Sequence, residues 1–135
     1  MIDKNIIRLA SNTKYYGLDG IYTHKSSFKN SKCGDLIKIE VNTYSNKIKS
    51  LRYETESCIF CQASASVLSN QIIGSNINNL KKNFLYLKKI TSSGEYKLPK
   101  NLKFFNVLFK KKYANRLDCI MLPFNALLKA FKIQS

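Results

Sequence analysis

Two cysteines three positions apart, Cys58 and Cys61, precede a stretch of small, uncharged residues, Gln62-Ala-Ser-Ala-Ser66. The apolar residues between Val67 and Ile73 then recur at helical spacing, so we expect the cysteines to lie in a loop where a helix starts. Free amide hydrogens and the positive end of the helix dipole both stabilise a thiolate at such a position. These thiols are therefore candidate metal ligands or nucleophiles, and the small residues would let a metal centre or another backbone come close.

The segment before this loop predicts a β-hairpin that positions further candidate ligands. Residues 36–41 alternate between apolar and polar types, residues 45–47 favour a turn, and residues 48–56 predict the second strand. Cys33 and Asp35 precede the first strand, and Cys58 follows the second. An antiparallel hairpin brings those two ends together. We therefore expect Cys33, Asp35, Cys58 and Cys61 at one end of one sheet.

The remaining periodicity predicts mostly helices. A further weak strand signal lies within residues 21–31, around Ile21-Tyr-Thr-His24, and Cys119 comes just before the last helix. The predicted helices cover residues 3–11 with Asp3 as a cap, about 62–73 ending at Gly74, a segment from Asn76 or Asn78 through Lys88, 101–112 after Pro99, and about 121–132. This order predicts an α+β fold, an antiparallel sheet of about three strands with helices packed on one side. We expect residues 1–135 to form a single domain.

Composition limits the class of protein. The chain has 135 residues, of which 44% are hydrophobic, so it can bury a substantial core. The first residues do not resemble a signal peptide, and no apolar run approaches the roughly 18 residues that a membrane span requires. We therefore expect a cytoplasmic protein without membrane contact, whose four cysteines stay reduced. Two alternatives for the cysteines are a thioredoxin-like redox site, against which the missing parallel βαβ pattern argues, and buried thiols without a metal.

The formal net charge is +15, and the lysines are scattered along the chain. We interpret this as a solvated basic surface, with an acidic protein partner as a second possibility. The pattern argues against a nucleic-acid surface, because Lys110-Lys-Lys112 is the only tight basic run.

Taken together, the cysteine motifs resemble a known family. A Cys33-Gly-Asp35 motif before a strand, Cys58 before a small-residue helix start, and Cys119 at the last helix are similar to the U-type iron–sulfur scaffolds, which include IscU, the N-terminal domain of NifU, and SufU. The three cysteines are separated by 25 and 61 residues. The longer second interval is similar to the SufU-like branch, in which the segment around residues 78–100 would be an insertion.

The resemblance implies a function and a ligand set. Cys33, Asp35, Cys58 and Cys119 would hold a transient [2Fe–2S] cluster or Zn²⁺, and Cys119 is a candidate persulfide acceptor. The protein would be a scaffold that receives sulfur from a cysteine desulfurase and passes a cluster to apo iron–sulfur proteins, and not an enzyme in the ordinary sense. Two rival hypotheses are a zinc-dependent sulfurtransferase partner of the desulfurase and a basic zinc-stabilised nucleic-acid-binding module.

The sequence departs from the family pattern at several points. Asp118 stands where IscU has a histidine, and the Leu-Pro-Pro-Val-Lys stretch of IscU is absent. Both departures fit the SufU-like branch. Cys61 is an additional thiol that has three open roles: a ligand, a persulfide acceptor, or a small apolar packing residue.

Overall fold

A computed structural model describes residues 3–93, Leu98 and residues 100–132 of the chain. Its sheet has three antiparallel strands in the order β1-β2-β3, with β1 at His24–Lys29, β2 at Leu36–Tyr44 and β3 at Lys47–Glu56. The α+β class and the three-stranded sheet are therefore as the sequence predicted.

The β2–β3 hairpin is closed by a two-residue turn. Ser45 and Asn46 both have positive φ, 50° and 63°, which is the backbone that a tight hairpin turn requires. At the open end of the hairpin Leu36 pairs with Glu56. Asp35 and Ser57, the next residues outward, are consequently neighbours at this end of the sheet.

The first strand lies within the segment that carried the weak strand signal, residues 21–31. It begins at His24, the last residue of Ile21-Tyr-Thr-His24, and runs to Lys29. Its inner side carries His24, Ser26 and Phe28; Phe28 packs against the core, and Ser26 bonds to the last helix. The Ser26 hydroxyl donates to the carbonyl of Ala126 at 2.6 Å.

The described residues form four α-helices: α1 at Lys4–Ser11, α2 at Ile59–Gln71, α3 at Ile77–Ser92 and α4 at Leu117–Ala130. The Asp3 side chain caps α1 and the Asn76 side chain caps α3, both as predicted. No helix among the described residues has both the length and the apolar character needed to cross a membrane.

The predicted helix over 101–112 is wrong. Two short 3₁₀ segments, Lys100–Phe105 and Lys111–Arg116, take its place, while the proposed start at Pro99 lies outside the described residues. Leu102, Phe105 and Leu108 are all buried. The spacing of three residues between Leu102 and Phe105 suits the tighter 3₁₀ period as well as an α-helix, so the apolar pattern could not distinguish the two, and Leu108 lies in the turn that follows.

The helices pack on one face of the sheet, with α4 against β1 and β2 and α2 against β3. The rings of Phe84, Phe105 and Phe124 form the centre of the helical layer, since the first two each lie 4.9 Å from Phe124, centroid to centroid. Two elements distant in sequence, those that contain Phe84 and Phe105, are thereby held against α4.

The opposite face of the sheet is covered by the loop of residues 12–23. A buried carboxylate oxygen of Glu40 accepts hydrogen bonds from the amides of Asp19 and Gly20, at 3.0 and 2.9 Å. Arg52 donates to the carbonyls of Gly17 and Tyr16 in the same loop. The polar side chains on this face therefore bind backbone groups that would otherwise lose their hydrogen bonds to water.

Candidate metal centre

Cys33 and Asp35 lie in the short connection between β1 and β2, residues 30–35, which we name the Cys33 loop. The amide of Asn30 donates to the carbonyl of Asp35, and the amide of Gly34 donates to the carbonyl of Asn30, both at 2.8 Å. The Asn30 side chain also accepts from the amide of Lys32. Gly34 has φ of 78°, a conformation that glycine adopts without a steric penalty. These bonds hold both candidate ligands on one turn.

Cys58 is the N-cap residue of α2, which starts at Ile59 and not near Gln62 as expected, so Cys61 lies within the helix rather than in the preceding loop. Its own side chain does not cap the helix. Instead, Asp35 reaches across from the Cys33 loop, and its Oδ2 atom accepts a hydrogen bond from the Cys58 amide at 3.2 Å. A carboxylate at this end of a helix is favoured by the helix dipole. The interaction joins two candidate ligands that are 23 residues apart.

Cys119 lies in the first turn of α4, because this helix starts at Leu117 and not near residue 121 as expected. The buried Ser64 hydroxyl of α2 donates to the carbonyl of Ile120 at 2.6 Å. Ala63 and Ser64 are fully buried, and their small size lets the backbone of α4 approach this closely. The small residues after Cys58 thus serve helix packing, which brings Cys119 to the centre.

Three candidate donor atoms converge in the structure. The sulfurs of Cys33 and Cys119 and a carboxylate oxygen of Asp35 all lie within 4.8 Å of one another. Cys58 is not a member of this closest group, but its amide bonds Asp35 and its side chain forms a hydrogen bond with Cys119. Cys33 is exposed, Cys58 is half-buried and Cys119 is buried. The cluster is therefore open to solvent on the side of Cys33.

Burial raises the pKa of the Cys119 thiol, and the hydrogen bond with the Cys58 side chain raises it further. The negative charges that Cys58, Cys33 and Asp35 would carry act in the same direction. Without a metal, the group therefore disfavours the thiolate form of Cys119. A bound cation reverses this tendency because it stabilises several thiolates at once.

Cys61 points into the core. It is fully buried in the third position of α2, and its sulfur lies 3.8 Å from the hydroxyl of Thr55. Burial raises its pKa to about 12, against the lowering effect of hydrogen bonds with Ser57 and Thr55. Cys61 is outside the group of converging donor atoms. Its environment is that of a small packing residue.

The surroundings of the centre include contacts that the sequence did not reveal. Lys32, next to Cys33, forms an ion pair with Asp118, next to Cys119, at 3.5 Å. Arg116 lies over the ring of Phe60 at 5.9 Å. The position of each charge beside a cysteine was visible in the sequence, but which charges would meet depended on the packing of α4.

Comparison with known proteins identifies the family. Residues 2–108 match the profile of the NifU-like N-terminal domain. The chain belongs to this family. The matched residues of the NifU-like domain include Cys33, Asp35 and Cys58 but end before Cys119. The family match therefore does not include Cys119, and its position at the centre is an observation from the structure.

Individual relatives cover nearly the whole NifU-like chain. It is 32% identical to an uncharacterized protein of Borreliella burgdorferi over 92% of its length and 84% of that protein. It is 28% identical to the iron–sulfur cluster assembly scaffold protein IscU of Thermotoga maritima, over 98% of its length and 93% of that protein.

Solved structures have the same fold. A NifU-like N-terminal protein from Brucella abortus superposes with a TM-score of 0.82 at 19% identity, covering 96% of this chain and 91% of that one. A protein described as a scaffold for the SUF system, FiSufU of Fervidobacterium islandicum, superposes with a TM-score of 0.80 at 25% identity, covering 97% and 96%.

Proposed function

We propose that this protein is a scaffold on which an iron–sulfur cluster is assembled, with Cys33, Asp35, Cys58 and Cys119 as the residues that hold it. The observation that carries the proposal is the convergence of Cys33, Asp35 and Cys119 donor atoms within 4.8 Å, with Cys58 in contact with two of them. The relatives named as scaffold proteins for cluster assembly support it.

The chemistry of the donor set suits temporary storage. Thiolates bind iron and zinc strongly, whereas a carboxylate is a harder ligand that binds these metals less tightly. The exposed side at Cys33 gives the cargo a route in and out. A site with one weaker ligand and one open side can release what it has bound.

Sulfur delivery is the second part of the proposal. A cysteine desulfurase would present a persulfide, and Cys119, held as a thiolate by a bound cation, would attack its terminal sulfur. A new sulfur–sulfur bond forms at Cys119, the sulfur–sulfur bond of the donor breaks, and the donor cysteine leaves as a thiolate. Because Cys119 is buried, this step requires the centre to open on the side of Cys33. An external two-electron donor, a thiol or an electron-transfer protein, would reduce each persulfide to release the sulfide that joins iron in the cluster, and apo iron–sulfur proteins would then receive the finished cluster.

A zinc-dependent sulfurtransferase partner of the desulfurase is the second candidate. The separation of the donor atoms favours it, since ligands of one tetrahedral zinc ion lie about 4 Å or less from one another when the metal–sulfur bonds are about 2.3 Å. The observed limit of 4.8 Å is close to that value. In this case zinc would hold the thiols until the desulfurase arrives.

Anaerobic purification followed by analysis of iron, zinc and acid-labile sulfide, with a visible absorption spectrum, tests both candidates. Iron and sulfide in equal amounts, lost in a Cys58→Ser variant and retained in Cys61→Ala, are expected for the scaffold. Stoichiometric zinc without sulfide, together with faster turnover of a desulfurase, would favour the sulfurtransferase partner. A protein that takes up neither metal nor cluster on reconstitution refutes both.

A further inference from the structure

The Cys33 loop and the start of α4 are separated by a cleft. Its volume is about 270 Å³, and its lining includes Phe28 and Lys29 on one side and Leu122 and Asn125 on the other. The loop is therefore not packed tightly against the helix on this side. Its internal hydrogen bonds, centred on Asn30, fix its shape but do not fix its distance from α4.

One charged contact crosses this gap. Lys32 and Asp118 meet at 3.5 Å, and each is the immediate neighbour of a converging cysteine, Cys33 or Cys119. Among the side-chain hydrogen bonds and ion pairs of the described residues, this is the one that connects residues 30–34 with α4.

We propose that the Lys32–Asp118 ion pair ties the Cys33 loop to α4 and thereby slows the exchange of a metal held between Cys33 and Cys119. Lys32 and Asp118 are positioning residues in this account. The statement about metal exchange rests on the proposed function, whereas the statement about loop motion does not.

Removal of either partner of the ion pair should change the rate of loop opening only slightly, and in the same direction for both. The side chains of Lys32 and Asp118 are 83% and 64% exposed, and exposed pairs contribute modestly, so we expect changes of about two- to five-fold. A tether predicts that removing either partner accelerates loop opening. A simple effect of charge on the anionic thiolates predicts instead that the two variants change metal retention in opposite directions. Lys32→Gln would weaken retention, and Asp118→Asn would strengthen it.

Hydrogen exchange of the metal-free protein tests the tether directly. Lys32→Gln and Asp118→Asn should each accelerate amide exchange in residues 30–35 about two- to five-fold, and the double variant Lys32→Asp/Asp118→Lys should return the rate towards that of the parent. Lys29→Gln is the matched control, because it removes a charge from the same cleft and leaves the pair intact. Salt at about 1 M should reduce the difference between parent and variants.

The rate of zinc release is the second test of the tether. The zinc-loaded proteins are mixed with excess chelator, and both single variants should release zinc faster than the parent, with recovery in the charge-swapped variant. Slower release from Asp118→Asn, unchanged loop exchange in both single variants, or no recovery in the swap overturns the tether. A parent protein that binds neither zinc nor a cluster refutes the proposed site instead, while the exchange experiment still decides whether the tether exists.

Discussion

The Oδ2 atom of Asp35 accepts a hydrogen bond from the backbone amide of Cys58 at 3.2 Å, so the carboxylate that is a candidate ligand also holds the first turn of α2. The same group would serve both roles. A metal that drew Oδ2 towards itself would weaken the hold on α2, whereas a metal bound through the other carboxylate oxygen would leave this bond in place. In the first case Asp35 would link the occupancy of the centre to the start of a helix.

Replacement of Asp35 should affect release more than binding. Asp35→Ala leaves the thiolates in place, so we expect the cluster or zinc to remain bound. Transfer to an apo-acceptor should be slower, because every transfer then has to begin by breaking a metal–thiolate bond. Asp35→Asn is the control, since it retains an acceptor for the Cys58 amide. Transfer from Asp35→Ala that is as fast as from the parent would contradict this role.

Replacement of Cys58, in contrast, should affect metal binding more than release. Cys58→Ser removes a thiolate at the N-terminus of α2 and leaves only a weakly coordinating hydroxyl. Stable binding of the metal should be lost, while the fold is retained. Metal analysis after gel filtration, with circular dichroism as the check on folding, measures both. Full retention of metal in this variant would remove Cys58 from the ligand set.

Cys61 should contribute to stability and not to metal binding. Its pKa is raised from 9.0 to about 12 in the folded protein, so between about pH 9 and 12 the unfolded chain loses a proton that the folded chain keeps. The free energy of unfolding should fall across this range, by up to about 1.4 kcal/mol per pH unit from this group.

Urea denaturation of the metal-free parent and of Cys61→Ala measures this effect. The two proteins should show parallel pH dependence below about pH 9 and a steeper loss in the parent above it. Zinc stoichiometry should be the same in both. Loss of zinc from Cys61→Ala would show that the core thiol is a ligand after all.

Gly34 should be required for the geometry of the Cys33 loop. Its φ of 78° is unfavourable for any residue with a side chain, and an added Cβ would meet no atom within 4 Å. Gly34→Ala should therefore cost about 1–2 kcal/mol through backbone strain alone. Relief of that strain would move Cys33 relative to Asp35, so metal affinity should also fall.

Gly20 offers a matched control for this substitution. Its φ is 76°, an added Cβ would again meet nothing within 4 Å, and it lies in the loop that covers the opposite face of the sheet. Gly20→Ala should lose a similar amount of stability in thermal denaturation and keep full metal affinity. Equal loss of affinity in the two variants would mean that global destabilisation explains the result.

The basic surface should bind polyanions weakly. With a net charge of +15, some association with DNA at low salt is expected from phosphate contacts alone. It should disappear between about 50 and 200 mM salt and show no sequence preference. Fluorescence anisotropy with two unrelated DNA duplexes over this salt range measures both the salt dependence and the sequence preference of binding. Tight, sequence-selective binding at physiological salt would instead favour a nucleic-acid-binding module.

The hairpin was predictable from sequence because Ile37, Ile39 and Val41 alternate with polar residues and one face is buried. Its ends fixed the neighbourhood of Cys33, Asp35 and Cys58. The first strand was harder to locate, because its inward Ser26 is held by a hydrogen bond to α4 and not by apolar burial. No pattern within the strand itself contains that information.

The sequence also could not show in which direction the Cys61 side chain points. It follows Cys58 by three residues, so either cysteine could have faced the centre, and the packing of α2 on the sheet and α4 decided the matter. The same holds for Lys32 and Asp118, whose 86-residue separation is closed only when α4 docks. Sequence patterns predicted features of a single helix or of one hairpin of adjacent strands. They did not predict contacts that depend on how α2 and α4 pack against the rest of the chain.

The hydrogen bond between Ser26 and Ala126 spans 100 residues, and it has a consequence for biosynthesis. A chain leaves the ribosome N-terminus first, so Cys33, Asp35 and Cys58 emerge well before Cys119. During that interval the nascent chain displays an unfinished set of the proposed ligands. Docking of α4 adds the last thiol, so under the proposed function cargo would be retained only after this region has been translated and has folded.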